Sequence, residues 1–75
     1  MSLLPDVVRG TLLEVHHVEI HGQPNVVLVY VIADDPAIQE ARLAREAVYG
    51  EPRPGDGIVV HRVLGEAVEI RRATP

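Results

Sequence analysis

The chain has 75 residues, a formal net charge of −4 and no cysteine, so we expect one small domain, residues 1–75, without disulfides or thiolate-bound metal. All seven basic residues are arginines, and eleven carboxylates oppose them. The chain thus lacks the basic face that nucleic-acid binding requires, and nucleic acid is not an expected partner. No apolar run approaches the roughly 20 residues of a membrane-spanning helix, and no signal-like segment opens the sequence, so we expect a cytoplasmic protein without membrane insertion.

The first predicted element is a long strand over residues 7–21. Apolar and polar side chains alternate along it, as they do in a half-buried strand. Leu13 and Val15 stand at odd positions, whereas the alternation continues on even positions from Val18 onward. A slip of one residue inside a strand indicates a β-bulge, which we place at residues 16–17. A long strand with a bulge can bend and serve both halves of a small barrel.

A turn and a second strand follow. Residues 21–25 contain the glycine, proline and asparagine typical of a turn, and residues 26–33 then read Val-Val-Leu-Val-Tyr-Val-Ile-Ala, apolar at every position. An uninterrupted apolar strand is typical of burial on both faces. In a chain of this size only a helix or another subunit can cover the second face, so we predict a homo-oligomer interface on this strand. Its predicted members are Val27, Val29, Tyr30 and Val31.

The third segment, residues 34–50, has two interpretations. Asp35 before Pro36 has the pattern of a helix N-cap followed by proline in the first turn. The alanines, glutamates and arginines after it favour helix, and a glycine then provides a stop. We therefore predict one short helix over residues 36–49. The alternative is a further strand.

The last segment is predicted to be a hairpin. Residues 53–57, Arg-Pro-Gly-Asp-Gly, form a turn, and residues 58–63 and 67–72 are strands joined by a tight glycine turn. Together the elements predict a small α+β domain rich in β-structure: a mostly antiparallel β-barrel or curled sheet of four or five strands, OB- or SH3-like, with one short helix. If the third segment is a strand, the prediction becomes an all-β small barrel.

The predicted hairpin resembles the closing hairpin of two kinds of small β-barrel. It begins at Pro54 with Gly55-Asp56 before an Ile-Val-Val-His strand, and continues with Gly-Glu-Ala-Val-Glu-Ile at residues 65–70. This stretch is similar to the OB-like hydrogenase-maturation chaperones and to the soluble OB-like domain of the NfeD membrane-protein family. The resemblance implies an OB-like architecture. It implies no activity, because those chaperones act through an N-terminal cysteine that this sequence lacks, and no membrane segment of the NfeD kind is present.

Few residues of the sequence suggest catalysis. There is no cysteine, the serine and threonines stand in no nucleophile motif, and no glycine-rich phosphate loop is present, so we predict no enzymatic activity. The histidines are the strongest candidates for a ligand site. His17, Glu19 and His21 alternate on one face of an extended strand. With His61 of the last hairpin they can hold a divalent metal if the strands are neighbours; the alternative is a solvated hairpin end without any cofactor.

Three functional classes remain, of which a small enzyme ranks last because no acid–base pair or nucleophile stands out. The first is a non-enzymatic interaction or assembly module that forms a homo-oligomer, or binds a protein partner, through the apolar strand. The second is a small-ligand or metal-binding protein that uses the histidine face. The marginal core expected of 75 residues and the strand that is apolar on both faces favour the first.

Overall fold

The structure, a computed structural model, describes residues 4–73. Its strands are β1 (Asp6–Ile20), β2 (Gln23–Ile32), β3 (Asp35–Ala44), β4 (Gly57–Val63) and β5 (Glu66–Arg72), with one turn of 3-10 helix at Arg45–Ala47. All five strands belong to one antiparallel sheet in the order β3-β2-β1-β4-β5. The predicted set of four or five mostly antiparallel strands is confirmed, and the domain is all-β. The predicted domain of residues 1–75 extends beyond the described part at both ends.

β1 is long because it pairs with two neighbours in succession. Residues 6–11 lie opposite β4, and residues 10–20 lie opposite β2. At Gly10 the strand passes from one neighbour to the other, and a Cβ there would collide with the carbonyl oxygen of Val31 on β2. Only glycine fits so close an approach of two backbones. The change of neighbour along one strand lets the sheet curl.

The bulge in β1 lies earlier than the sequence indicated. The register with β2 slips between Leu12 and Glu14, so the extra residue is Leu13, and our placement at residues 16–17 is wrong. Beyond Val15, which still packs against the core, the inward row of β1 is polar, while Val18 and Ile20 face outward. The apolar side chains of β1 change from the inward to the outward face there because the end of the strand extends past the core.

The third segment is a strand, and the predicted helix over residues 36–49 is wrong. Asp35 does accept the hydrogen bond expected of an N-cap, from the Ala37 N–H at 3.0 Å, but at the entrance to β3. Side chains then alternate, with Ala41 and Leu43 turned towards the core. Pairing with β2 satisfies the backbone groups on the facing edges of the two strands, and this tertiary gain outweighs the helix propensity of alanine, glutamate and arginine.

The core lies on the inner face of the curled sheet. Past the 3-10 turn, Val48 forms a parallel bridge with Ile70 of β5, and the Tyr49 N–H donates to the Ile70 carbonyl at 3.2 Å. Elsewhere β3 and β5 are not paired in the described chain, so the sheet stays open along the seam between them. No helix within residues 4–73 has the length and apolar character to cross a membrane. The buried apolar residues are Leu12, Val26, Leu28, Tyr30, Leu43, Val48, Ile58, Val60 and Ile70.

Candidate functional site: the outward face of β2

The side of β1, β2 and β3 that is turned away from the core is called here the outward face. On β2 it is formed by odd-numbered residues, since the even-numbered ones are buried. The register of the three strands arranges the outward residues in four rows that cross the strands. In the order β1, β2, β3 the rows are Thr11-Val31-Ile38, Glu14-Val29-Glu40, His16-Val27-Arg42 and Val18-Asn25-Ala44.

The centre of the outward face is apolar. Val27, Val29 and Val31 are only half-buried, although β2 has a hydrogen-bonded neighbour on each side. Beside Val31, Ile38 on β3 is 69% exposed. Because the five strands of residues 4–73 all belong to one sheet, no second layer of strands packs on this face. The three valines predicted for the oligomer interface therefore lie together in a strip that the described chain leaves uncovered.

Tyr30, the fourth residue predicted for the interface, lies on the other side of the sheet. It is 4% exposed and belongs to the core cluster. Burial raises the pKa of its hydroxyl. Alternation along the strand separates it from the valines on either side, so Tyr30 is a core residue and does not belong to the outward face.

Two carboxylates flank one valine of the strip, and an arginine and a histidine flank the next. One row places Glu14 and Glu40 beside the same valine, and the next row places His16 and Arg42 beside another. Glu14 contacts His16 at 3.1 Å, whereas neither Glu40 nor Arg42 has an ion-pair partner among residues 4–73. The sequence analysis missed this pattern because residues two apart share a face only in a strand, and it predicted a helix there. The signal that could have revealed it is the period-two pattern Ile38, Glu40, Arg42.

The first three predicted metal ligands lie near the far end of β1. His17 and Glu19 are exposed and continue the inward row beyond the core, opposite Val26 and Pro24. His21 falls in the turn after the strand, where its φ is 50°. The alternation predicted for His17 and Glu19 thus exists, whereas His21 has left the strand.

The fourth predicted ligand, His61, is placed elsewhere in the sheet. It lies on β4 opposite Val7, near the beginning of β1. Val7 and His17 are ten residues apart along β1, a length along the strand of roughly 33 Å. The structure therefore does not bring His61 to the other three residues. Among residues 4–73 no three His, Cys, Asp or Glu side chains are grouped as a metal ion requires.

A polar cluster fixes the loop between the 3-10 turn and β4. The Tyr49 hydroxyl donates to Asp56 Oδ2 at 2.6 Å, and the Arg53 N–H donates to the same oxygen at 3.0 Å. Arg72 lies 5.2 Å from the centre of the Tyr49 ring. Burial, together with the hydrogen bond to Asp56, raises the pKa of Tyr49 to about 12. The hydrogen bond from Tyr49 lowers the pKa of Asp56, so this cluster holds a neutral tyrosine against an ionised carboxylate.

A bidentate ion pair joins β1 to β4 at the other end of the sheet. Arg62 donates from Nε to Asp6 Oδ1 at 3.0 Å and from Nη2 to Oδ2 at 2.6 Å. The hydrogen bonds from Arg62 lower the pKa of Asp6. The pair therefore fastens the beginning of β1 to β4.

The cavities of the described surface are small. One of about 280 Å³ lies in the seam between β3 and the β4–β5 turn, with Tyr30 at its wall. A second, of about 200 Å³, lies where the 3-10 turn meets β5. A third, of about 270 Å³, lies beside His17, Glu19 and Arg45. All three fall below the roughly 300–1,000 Å³ of typical small-molecule sites.

Comparison of the chain with protein-family models, with curated proteins and with solved structures gives no match. The likeness to the hydrogenase-maturation chaperones and to the NfeD domain therefore rests on the hairpin residues alone. Of the features described above, the outward face gives the most information about function.

Proposed function

We propose that this protein is a non-enzymatic assembly module that forms a homo-oligomer through the outward face of β2. The observation that carries the proposal is the strip of Val27, Val29 and Val31, which lies on an internal strand of the single sheet of residues 4–73 and stays partly exposed. An apolar strip on an internal strand is normally covered by a second layer. A second subunit supplies that layer and enlarges the core of a chain too small to build a thick one.

The chemistry of the side chains supports a binding role over a catalytic one. The Tyr49 hydroxyl, with its pKa raised to about 12, is stabilised in the neutral form, which is the opposite of what a nucleophile or general base needs. The carboxylates with lowered pKa values, Asp6, Asp56 and Glu69, each accept a hydrogen bond from a partner within the chain. The same proposal has the protein acting in the cytoplasm without a cofactor.

The finer architecture proposed for the module is an OB-like barrel left open along one seam. Three observations support this: β1 has a bulge and pairs with two neighbours, the edge strands of the order are β3 and β5, and Val48, just past the end of β3, forms a parallel bridge with Ile70 of β5. Five strands with a partly open seam are typical of OB barrels. The outward face then forms part of the barrel wall.

The test of the proposed function is the substitution Val29→Lys. Its neighbours across the strands, Glu14 and Glu40, can accommodate a lysine in the free subunit, whereas a second subunit would remove its charge from water, which opposes association. We expect Val29→Lys to be folded by circular dichroism and monomeric by sedimentation velocity, while the unaltered protein sediments as an oligomer.

Two control variants separate loss of the interface from loss of the fold. Val63→Lys places the same charge at another half-exposed valine, 40% exposed, and should remain oligomeric. Val29→Thr keeps the β-branched shape at the interface position and should also remain oligomeric. A folded Val29→Lys protein of unchanged size would refute the proposed function.

A further inference from the structure

Each of the four rows of the outward face has a chemically complementary row at the same distance on the other side of the centre. One inner row carries two carboxylates, Glu14 and Glu40, and the other carries the Arg42 guanidinium and the His16 imidazole. The two outer rows are largely apolar, with Ile38 in one and Val18 in the other. A two-fold operation whose axis runs across the strands, halfway between the inner rows, exchanges each row with its opposite. The face is therefore complementary to itself in one orientation.

The other aligned orientation is not complementary. A two-fold axis running along β2 would leave each row facing itself and would place Glu14 of one subunit over Glu40 of the next. Like charges brought face to face oppose association. With the axis across the strands, the acidic row faces the basic row instead, and Val29 faces Val27 of the other copy.

The twist of packed sheets does not disturb this pairing of rows. Aligned sheets pack about 10 Å apart at angles near 30°. Residues in one row lie about 4.8 Å from β2, so such a rotation moves them by roughly 2.5 Å along the strand, while successive rows are about 6.8 Å apart. Each row therefore still faces the intended row of the other copy.

We propose that a second copy of this chain docks on the outward face about a two-fold axis that runs across the strands between Val27 and Val29, so that Glu40 faces the partner subunit's Arg42. The proposal rests on the proposed function and specifies its geometry. Ile38, 69% exposed in the single chain, then lies over the partner's Ala44. Glu40 and Arg42, which have no ion-pair partner within residues 4–73, acquire one in each other.

Charge exchange between Glu40 and Arg42 tests this geometry. Glu40→Arg places two arginines against each other at both symmetry-related contacts, and Arg42→Glu does the same with glutamates. We expect each single variant to raise the dimer dissociation constant, measured by sedimentation equilibrium, about tenfold or more. The double variant Glu40→Arg/Arg42→Glu exchanges the rows and restores the pairing, so its dissociation constant should return to within about threefold of the original.

The outcomes separate this geometry from the proposed function on which it rests. The control Glu51→Arg/Arg53→Glu exchanges an exposed loop pair and should leave the dissociation constant unchanged. A dimer that Val29→Lys abolishes but that the single charge variants leave intact would overturn the two-fold geometry and keep the proposed function. Single variants that weaken the dimer without recovery in the double variant would also overturn it. An unaltered protein that is monomeric throughout would overturn both.

Discussion

The two faces of β2 have similar composition and different surroundings. The inward residues Val26, Leu28 and Tyr30 are 0–4% exposed beneath the rest of the curled sheet. The outward valines are half-buried by their neighbours within the sheet alone. A continuous apolar strand thus indicates that both faces need cover, and it does not say where the cover comes from. Here the chain supplies the inner cover itself, and we propose that a second copy supplies the outer one.

The largest loss of stability is expected from one of two alanine substitutions at adjacent residues, which lie on opposite faces of β2. Leu28→Ala removes a fully buried side chain and should cost about 2–5 kcal/mol, which is comparable to the whole stability of a small domain. Val29→Ala should act mainly through the oligomer, so its effect on the urea midpoint should grow with protein concentration. Equal losses for both variants at every concentration would show that the two faces are covered in the same way.

A smaller loss of stability is expected from a substitution at Gly10, where β1 pairs with both β2 and β4. Gly10→Ala would press a methyl group against the Val31 carbonyl and should lower the free energy of unfolding by roughly 1–3 kcal/mol. Gly50→Ala is the matched control, because nothing lies within 4 Å of a Cβ there, and it should be neutral or slightly stabilising. Urea denaturation of the two variants measures the difference. A Gly10→Ala protein as stable as the control would contradict the close approach that lets the sheet curl.

The smallest loss of stability is expected from a substitution at Tyr49, beside the seam between β3 and β5. Tyr49→Phe removes the hydroxyl that donates to Asp56 and should cost about 0.5–1 kcal/mol at pH 7, the net value of one hydrogen bond. Because the folded-state pKa of Asp56 is lowered, its contribution is present above its unfolded value near pH 4 and is lost as pH falls through the folded value. The difference between Tyr49→Phe and the unaltered protein should therefore narrow between pH 7 and pH 3. A difference in urea midpoint that is constant with pH would contradict this assignment.

The same tyrosine offers a second readout at high pH. The pKa of Tyr49 is raised to about 12, so the folded state keeps the neutral hydroxyl after the unfolded chain has ionised near pH 10. The stability that Tyr49 contributes is therefore complete below pH 10 and is lost as pH rises towards 12. Both tyrosines have raised pKa values, so titration by ultraviolet absorbance should show two late-ionising tyrosines in the unaltered protein and only Tyr30 in Tyr49→Phe.

Local patterns in the sequence predicted the strands that pair with their neighbours in the chain. The β1–β2 and β4–β5 hairpins could be predicted because glycine turns separate alternating or apolar runs. β3 could not, since its residues have helix propensity and only the edge of β2 makes them a strand. The bulge was misplaced for a related reason, because the end of β1 extends beyond the core and carries its apolar residues outward.

The candidate site was predictable in part. The valines of β2 were found, because an apolar run in so small a chain requires explanation. Tyr30 was assigned to the same surface because a run that is apolar at every position does not show which residues face inward. Glu40 and Arg42 were missed because their shared face exists only in a strand. Assigning β3 correctly is therefore what reveals the charge pattern beside the valines.

Native mass spectrometry of the untagged protein, before and after addition of a chelator, tests the central claim most directly. We predict a dimer of twice the 8.2 kDa chain mass that the chelator leaves unchanged, as expected if the outward face of β2 holds two copies together. A mass excess that the chelator removes would support the histidine metal site predicted from the sequence. A bare monomer at every concentration would contradict the proposal that a second copy covers this face.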